Sequence, residues 1–428
     1  MPVSTDKQKI EELLTRGVAE IYPTKEALEK LLLSGKRIRL YMGIDPTAPH
    51  LHIGHALQLR KLRQFQDLGH EVILLIGSFT GMIGDPTDKT AARQKLTRAQ
   101  VMANARTYKK QASKILLFSG AHAAKLKYNH TWLAKLTFED VTELASHFTA
   151  QKMEERDMFE RRIKEGKPVH LHEFLYPLMQ GYDSVAMDVD AEIGGTDQTF
   201  NMLAGRTLMK AMKNKEKFVM TLKLLTNDEG KKMSKSEGGF IALDDTPEEM
   251  FGKLMAMDDS MIIPYFELAT DVPDGDIADM RAHMSDGENP MPFKRCLARE
   301  VVRMFAGENA ATAAEAHFSK VHQAHEVPDE LQTLEYYGDR ANHSIFFLKS
   351  KDVNKRIAIP LIKKNIRGKF RLIDILPASQ LVISKMQARR LIEQGGVKVD
   401  GKVVKDANAP VKAGPVIQKG KRFFVRVI

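Results

Sequence analysis

A single cysteine, Cys296, is all the thiol chemistry this 428-residue chain has to offer. One thiol excludes an internal disulfide and any thiolate cluster for zinc, which points to a reducing compartment. Long apolar runs are missing as well. Residues 72–76 (VILLI) are typical of the longest, well short of the ~18 residues that a membrane span needs. The sequence has no internal repeats and no low-complexity tracts. Its amino terminus carries acid at Asp6, Glu11 and Glu12, which suits neither a secretory signal nor a transit peptide. A cytoplasmic location is the expectation.

What remains is an ordinary mixture, 43% apolar and 28% charged, in a chain too long for one core. The charge is unevenly placed. From residue 361 onward, 16 Lys and Arg stand against 4 Asp and Glu, a net of +12; the whole chain carries +10, which leaves −2 for the first 360 residues. A basic terminal unit of this kind is a footprint for a polyanion, nucleic acid above all.

Residues 37–44 have the pattern of a strand, followed by a turn with Pro46 and Pro49 and then a helical run. Leu59, Leu62, Phe65 and Leu68 give that run its apolar face, and Gly69 stops it. Residues 71–76 are a second strand, apolar enough to be buried on both faces. Strand, helix and strand in so short a span predict a parallel crossover and a doubly wound sheet, whose ligands bind at the carboxyl ends of the strands. Thr246-Pro-Glu-Glu249 is a capping box, and the Met and Leu periodicity after it predicts helices over 246–325. Residues 326–366 read as a connector. In the tail, Ser384 opens a short helix bearing Lys385, Arg389 and Arg390. Residues 397–404 then form two extended pieces about Asp400-Gly401, and 422–428 a strand. The run 396–402 resembles a P-loop but ends in Val403, so a hairpin is the reading. Glu154, Glu155, Arg161 and Arg162 read as solvated helix faces.

Two clusters carry chemistry. His50, His52 and His55 surround Gly54 where the first strand passes into its helix, and a helix start attracts phosphate. KKMSKS at 231–236, between Gly230 and Gly238-Gly239, is a lysine-rich loop suited to a pyrophosphate leaving group, with hinges that let it close.

HIGH at 52–55 and KMSKS at 232–236 match the two signatures of the class I aminoacyl-tRNA synthetases. YMGIDPT at 41–47, GDPT at 84–87, YPLMQGYD at 176–183 and GGTDQ at 194–198 resemble the tyrosyl-tRNA synthetase family. The tail resembles the small RNA-binding domain of its bacterial members. The resemblance implies an ATP-driven ligase built in four parts. These are a Rossmann-like catalytic domain over 1–245, an all-α anticodon-binding domain over 246–325, a connector, and a small α+β RNA-binding domain over 367–428.

It also implies roles. Tyr41 and Asp183 would bind the substrate phenol, rejecting phenylalanine because buried polar groups would go unpaired, a discrimination for which this family is itself the standard example. Asp85, Tyr176 and Gln180 would hold the α-ammonium, and Gln198 would face the carboxyl end. Asp45, Gly54 and Asp197 would belong to the ATP side, with Asp197 at the ribose. Thr47, His52 and His55 would meet the phosphates, and Lys89, Arg93, Lys232 and Lys235 the pyrophosphate. The tyrosine carboxylate is the nucleophile, so catalysis is positioning and electrostatics. ATP is a substrate with Mg²⁺ accompanying it, tRNA is the second partner, and the family implies a homodimer. Met42 and Gln58 stand where relatives often carry small side chains near the ribose. A tryptophan synthetase does not need the Tyr41 and Asp183 pair. A nucleotidylyltransferase leaves the helical region and the tail unexplained, and a non-catalytic splicing-assistance relative predicts eroded motifs.

Overall fold

Strand β2 (Arg39–Ile44) and strand β3 (Glu71–Ile76) run parallel, joined by the helix Ile53–Asp67. They form where the apolar runs of the sequence place them. Leu59, Leu62, Phe65 and Leu68 are buried, and Gly69 leaves the helix at φ 95°. Val72 to Ile76 are all buried, as a central parallel strand requires. The computed structural model describes residues 2–85, 96–226, 240–322, 332–338, 343–349, 356–363, 370–379, 381–382, 384–411, 414–420 and 423–427.

With β1 (Val18–Tyr22), β4 (Lys125–Tyr128), β5 (Ala191–Gly195) and β6 (Phe218–Leu222), these strands make a six-stranded sheet in the order β1-β6-β5-β2-β3-β4. Only the β1–β6 pairing is antiparallel. Helices Leu171–Met187 and Thr199–Lys213 pack together through glycines. A Cβ on Gly181 would come 3.2 Å from Gly205 N and 2.9 Å from Leu208 Cδ1, so the approach is backbone to backbone. Glu154, Glu155 and Arg161 are exposed as expected, but Arg162 is half-buried and donates to Glu173 Oε1 at 3.0 Å, which corrects the expectation for that residue.

Thr246 caps the helix Pro247–Met255 with both bonds of the capping box. Helices Ile262–Ala269, Asp274–Ser285, Met291–Ala306 and Glu308–His322 follow, and no strand interrupts them among the described residues. Arg16 ties this region to the sheet. Its guanidinium donates to the carbonyls of Phe266, Glu267, Thr270 and Val272, where a helix end leaves acceptors unsatisfied. Residues 1–311 form one compact unit.

The second unit spans residues 312–428. The stretch expected as a connector contains β7 (Gln332–Gly338), β8 (His343–Lys349) and β9 (Arg356–Lys363). The tail adds β10 (Phe370–Arg371), β11 (Val397–Val399), β12 (Lys402–Val403), β13 (Pro410–Val411), β14 (Val416–Lys419) and β15 (Phe423–Val427). A seven-stranded sheet runs β12-β11-β14-β15-β7-β8-β9, with β15 parallel to β7. Period-two reading missed β7 to β9 because their run of sequence does not alternate cleanly. Asp400 and Gly401 both take positive φ, 47° and 78°, which makes 397–403 the tight hairpin expected and not a phosphate loop. Leu372, Ile375, Leu376, Ile392 and Val425 form this unit's core.

Candidate active site

In the order β6-β5-β2-β3-β4 the chain turns one way from β2 to β3 and the opposite way from β5 to β6. The reversal lies between β5 and β2, and in such sheets it is there, at the carboxyl ends of the strands, that ligands bind. Asp45, Gly77, Asn129 and Asp197 leave the ends of β2, β3, β4 and β5 in turn.

A buried polar network fills the floor. Tyr41 has no exposed surface; its hydroxyl lies 3.0 Å from Ser184 Oγ and donates to the Gln180 carbonyl at 3.4 Å. Asp183, beside Ser184, is 2% exposed. It accepts from Trp132 Nε1 at 2.7 Å and Asn129 Nδ2 at 3.2 Å. Burial pushes its proton affinity well above the ordinary carboxylate value. The bonds from Trp132 and Asn129 oppose the shift, and the charges of Glu192 and Asp45 add to it. Burial also raises Tyr41 well above a free phenol, aided by the charges of Glu192 and Asp183, so its proton is retained.

Asn129 joins this floor to the next group by donating to Thr80 Oγ1 at 3.0 Å, and Thr80 donates to Asp45 Oδ1 at 2.6 Å. Tyr176, buried and likewise shifted upward by burial, donates to Asp45 Oδ2 at 2.8 Å. Asp45, expected on the ATP side, thus meets Tyr176, expected at the α-ammonium. Asp85 accepts from Gln198 Nε2 at 2.6 Å and from Arg156 Nη2 at 2.9 Å. Gln180 donates to Glu192 Oε1 at 2.9 Å, and Glu192 pairs with the buried Lys217.

His52 is the N-cap of helix Ile53–Asp67. Its Nδ1 accepts from Gly54 N at 3.1 Å, and His55 Nδ1 accepts from His52 N at 3.2 Å. With both Nδ1 atoms accepting, each neutral ring carries its proton on Nε2, the nitrogen able to donate to a phosphate. A Cβ at residue 54 would lie 3.0 Å from the His52 ring, so Gly54 serves the cap as well as any nucleotide. His50 stands apart, its Nδ1 2.8 Å from Asp244 Oδ2. Thr47 is exposed, and Asp197 half-buried in the turn after β5. Met42 has no exposed surface, while Gln58 is half-buried. Lys89, Arg93, Lys232 and Lys235 lie outside the described residues.

In the second unit, Arg389 and Arg390 are exposed on the helix Lys385–Glu393. Lys385 is engaged differently, its Nζ 2.7 Å from the buried Asp374 carboxylate. Burial pushes Asp374 up, but the bonds from Arg371 and Lys385 outweigh it and hold the group below its ordinary value.

Sequence reading passed over Thr80, Asn129, Trp132, Arg156, Glu192 and Lys217. Trp132, the chain's one tryptophan, and the Asn129 just before it could have been flagged by their place after β4. A cavity of about 270 Å³ is lined by none of these site residues; Arg16, Arg60, Lys61 and Lys114 are among those around it. All four donate to backbone carbonyls, which accounts for them as structural cations.

Residues 33–323 match the model of the class I tRNA synthetases (W and Y), and residues 370–417 match the S4 domain. The chain is 42% identical to the tyrosine--tRNA ligase of Carboxydothermus hydrogenoformans, across 100% of this chain and 99% of that protein. It is 42% identical to the tyrosine--tRNA ligase of Thermotoga maritima, across 97% and 96%. A C-terminally truncated mitochondrial tyrosyl-tRNA synthetase from Coccidioides posadasii has the same fold, with a TM-score of 0.59 at 28% identity over 72% of this chain and 91% of that one.

Proposed function

The chain belongs to the class I tRNA synthetases of the tryptophan and tyrosine group, as a tyrosine--tRNA ligase, and from that premise we propose how its residues share the work. The enzyme uses ATP to activate tyrosine and passes the aminoacyl group to tRNA. In our reading Tyr41 and Asp183 receive the phenol. Asp85, Tyr176 and Gln180 receive the α-ammonium, and Gln198 faces the carboxyl end. Gly54, His52, His55 and Thr47 line the phosphate path, with Asp197 at the ribose. Asp45 shapes the ammonium side through Tyr176. Lys89, Arg93, Lys232 and Lys235 take the pyrophosphate as its charge develops.

The observation that carries the reading is the buried Asp183 carboxylate, held in place by Trp132 and Asn129 beside the Tyr41 hydroxyl's partner Ser184. An acceptor held in place in a dry pocket suits a phenol and leaves a benzyl group to strand it. Tyrosine-dependent exchange of pyrophosphate into ATP tests it. Exchange with tyrosine, and none with tryptophan or phenylalanine, is expected; exchange driven by tryptophan overturns it.

Mg²⁺ accompanies ATP on its phosphate oxygens in this reading. No cluster of three or more His, Cys, Asp or Glu among the described residues would hold it separately. The helices of 246–325 serve the anticodon, and residues 367–428 bind RNA through Arg389, Arg390 and the more constrained Lys385. We place the enzyme in the cytoplasm, in keeping with its single exposed thiol; among the described residues no helix is long and apolar enough to cross a membrane. A homodimer is supported by Phe138 and Leu171, 88% and 83% exposed on two helices that pack against each other. Replacing both by Glu should convert a dimer to monomer in sedimentation, and an unchanged dimer would rule this face out.

A further inference from the structure

Lys217 stands directly before β6 and has no exposed surface. Its ammonium pairs with Glu192, donates to the Met202 carbonyl at 3.1 Å, and lies 5.9 Å from the centre of the Tyr41 ring. Glu192 is 2% exposed on β5, and its second oxygen accepts from Gln180 Nε2 at 2.9 Å. A chain of contacts thus runs from Lys217 through Glu192 to Gln180, a residue of the tyrosine pocket. Room for the lysine depends on Gly205, where a Cβ would come 2.4 Å from Nζ. A buried ion pair generally stabilises a fold no better than apolar side chains of the same volume. Its presence under a substrate pocket therefore calls for another role.

The chemistry of the chain supplies one. An ionised carboxylate only accepts hydrogen bonds, and an ammonium only donates them. Lys217 keeps a positive partner on Glu192, so Glu192 meets the Gln180 amide through its N–H and not through its oxygen. That choice fixes which way round the amide lies and reserves Gln180 Oε1 as an acceptor. The α-ammonium of an amino acid needs acceptors, and a reversed amide would offer it N–H groups instead.

We propose that Glu192 and Lys217 are positioning residues that lock the Gln180 amide with its oxygen toward the α-ammonium of tyrosine. The pair thereby makes a free α-amino group a condition of substrate binding. The inference rests on the reading of Gln180 as an ammonium ligand given above. It concerns two residues that neither motif contains.

The test uses the full-length chain and two variants, Glu192→Gln and the neutral, volume-matched Glu192→Gln with Lys217→Met. The double variant leaves no charge stranded in the core and keeps the test open should the single change unfold the protein. A glutamine at 192 both donates and accepts, so Gln180 is released to turn over. The readouts are KM and kcat for tyrosine, KM for ATP, and inhibition by 3-(4-hydroxyphenyl)propionate, which is tyrosine without its amine. We expect KM for tyrosine to rise about tenfold, the loss of one charge-assisted hydrogen bond, with kcat and the ATP KM nearly unchanged. Inhibition by the deamino analogue should shift by no more than about twofold, because it makes no contact for the amide to lose. Equal weakening of tyrosine and the analogue would overturn the proposal, since the pair would then shape the whole pocket. An unchanged tyrosine KM would overturn it too. A parent enzyme that fails to exchange with tyrosine would instead remove the functional reading beneath it.

Discussion

Asp183 answers two opposing demands. Burial favours its protonated form, while recognition of a phenol needs the ionised form as acceptor. Because its pKa is raised in the folded protein, the free enzyme gains stability from this group below the ordinary carboxylate range and loses it as pH rises through the raised value. Tyrosine binding runs the other way, weakening as pH falls and Asp183 takes up its proton. The acid limb of kcat/KM for tyrosine should therefore lie above the ordinary carboxylate range. Asp183→Asn should flatten that limb and weaken tyrosine by about tenfold or more, with ATP affinity nearly unchanged. A pH–rate series on both proteins checks this, and an identical limb in the variant would clear Asp183 of the role. At this scale the sequence drew attention, by motif, to Tyr41, Asp183 and His52, which the structure sets in the buried polar network and at the helix cap. It was silent on Asn129, Trp132, Glu192 and Lys217, whose meaning depends on which strand ends lie side by side. A lone lysine before a strand carries no sign in sequence that it will be fully buried.

The elements were legible for a plainer reason. Residues 71–76 are an unbroken apolar run, the helix after His52 keeps its apolar spacing, and the Thr246 box marks a helix start by itself. Residues 332–363 lack such a pattern; β7, β8 and β9 pair with one another as neighbours, and β7 pairs as well with the distant β15. The junction of helices Leu171–Met187 and Thr199–Lys213 shows what an element must concede to a site. A Cβ on Gly205 would lie 2.8 Å from Ser184 Oγ as well as against Lys217 Nζ. Gly205→Ala should cost about 1–3 kcal/mol of stability through overpacking. It should also weaken tyrosine more than ATP, because the displaced atoms belong to the Tyr41 and Glu192 side. Denaturant unfolding beside the two KM values measures both effects, and a purely structural loss would lower them together.

For the whole molecule, the net charge of +12 from residue 361 onward is the ground for proposing that the second unit takes tRNA. Deleting only residues 367–428 would remove β15 and leave β7 without its parallel neighbour, so the informative truncation ends after His322. That protein should keep tyrosine-dependent exchange and lose tRNA affinity. For the intact enzyme, affinity should fall by ~0.7–0.9 log units per phosphate contact for each tenfold rise in salt, and the truncated slope should be shallower. Binding measured at two salt concentrations decides it; equal slopes would place the tRNA contacts elsewhere. The same β15–β7 pairing bears on how the protein is made. Val425 pairs with Gln332, so the ribosome must add the whole intervening stretch before β7 finds its neighbour. Until then β7, β8 and β9 form a meander with an open edge, the kind of surface that joins strands from other nascent chains. Synthesis rate over this stretch, and chaperones that shelter strand edges, should govern the yield of active enzyme more than the stability of the finished sheet does.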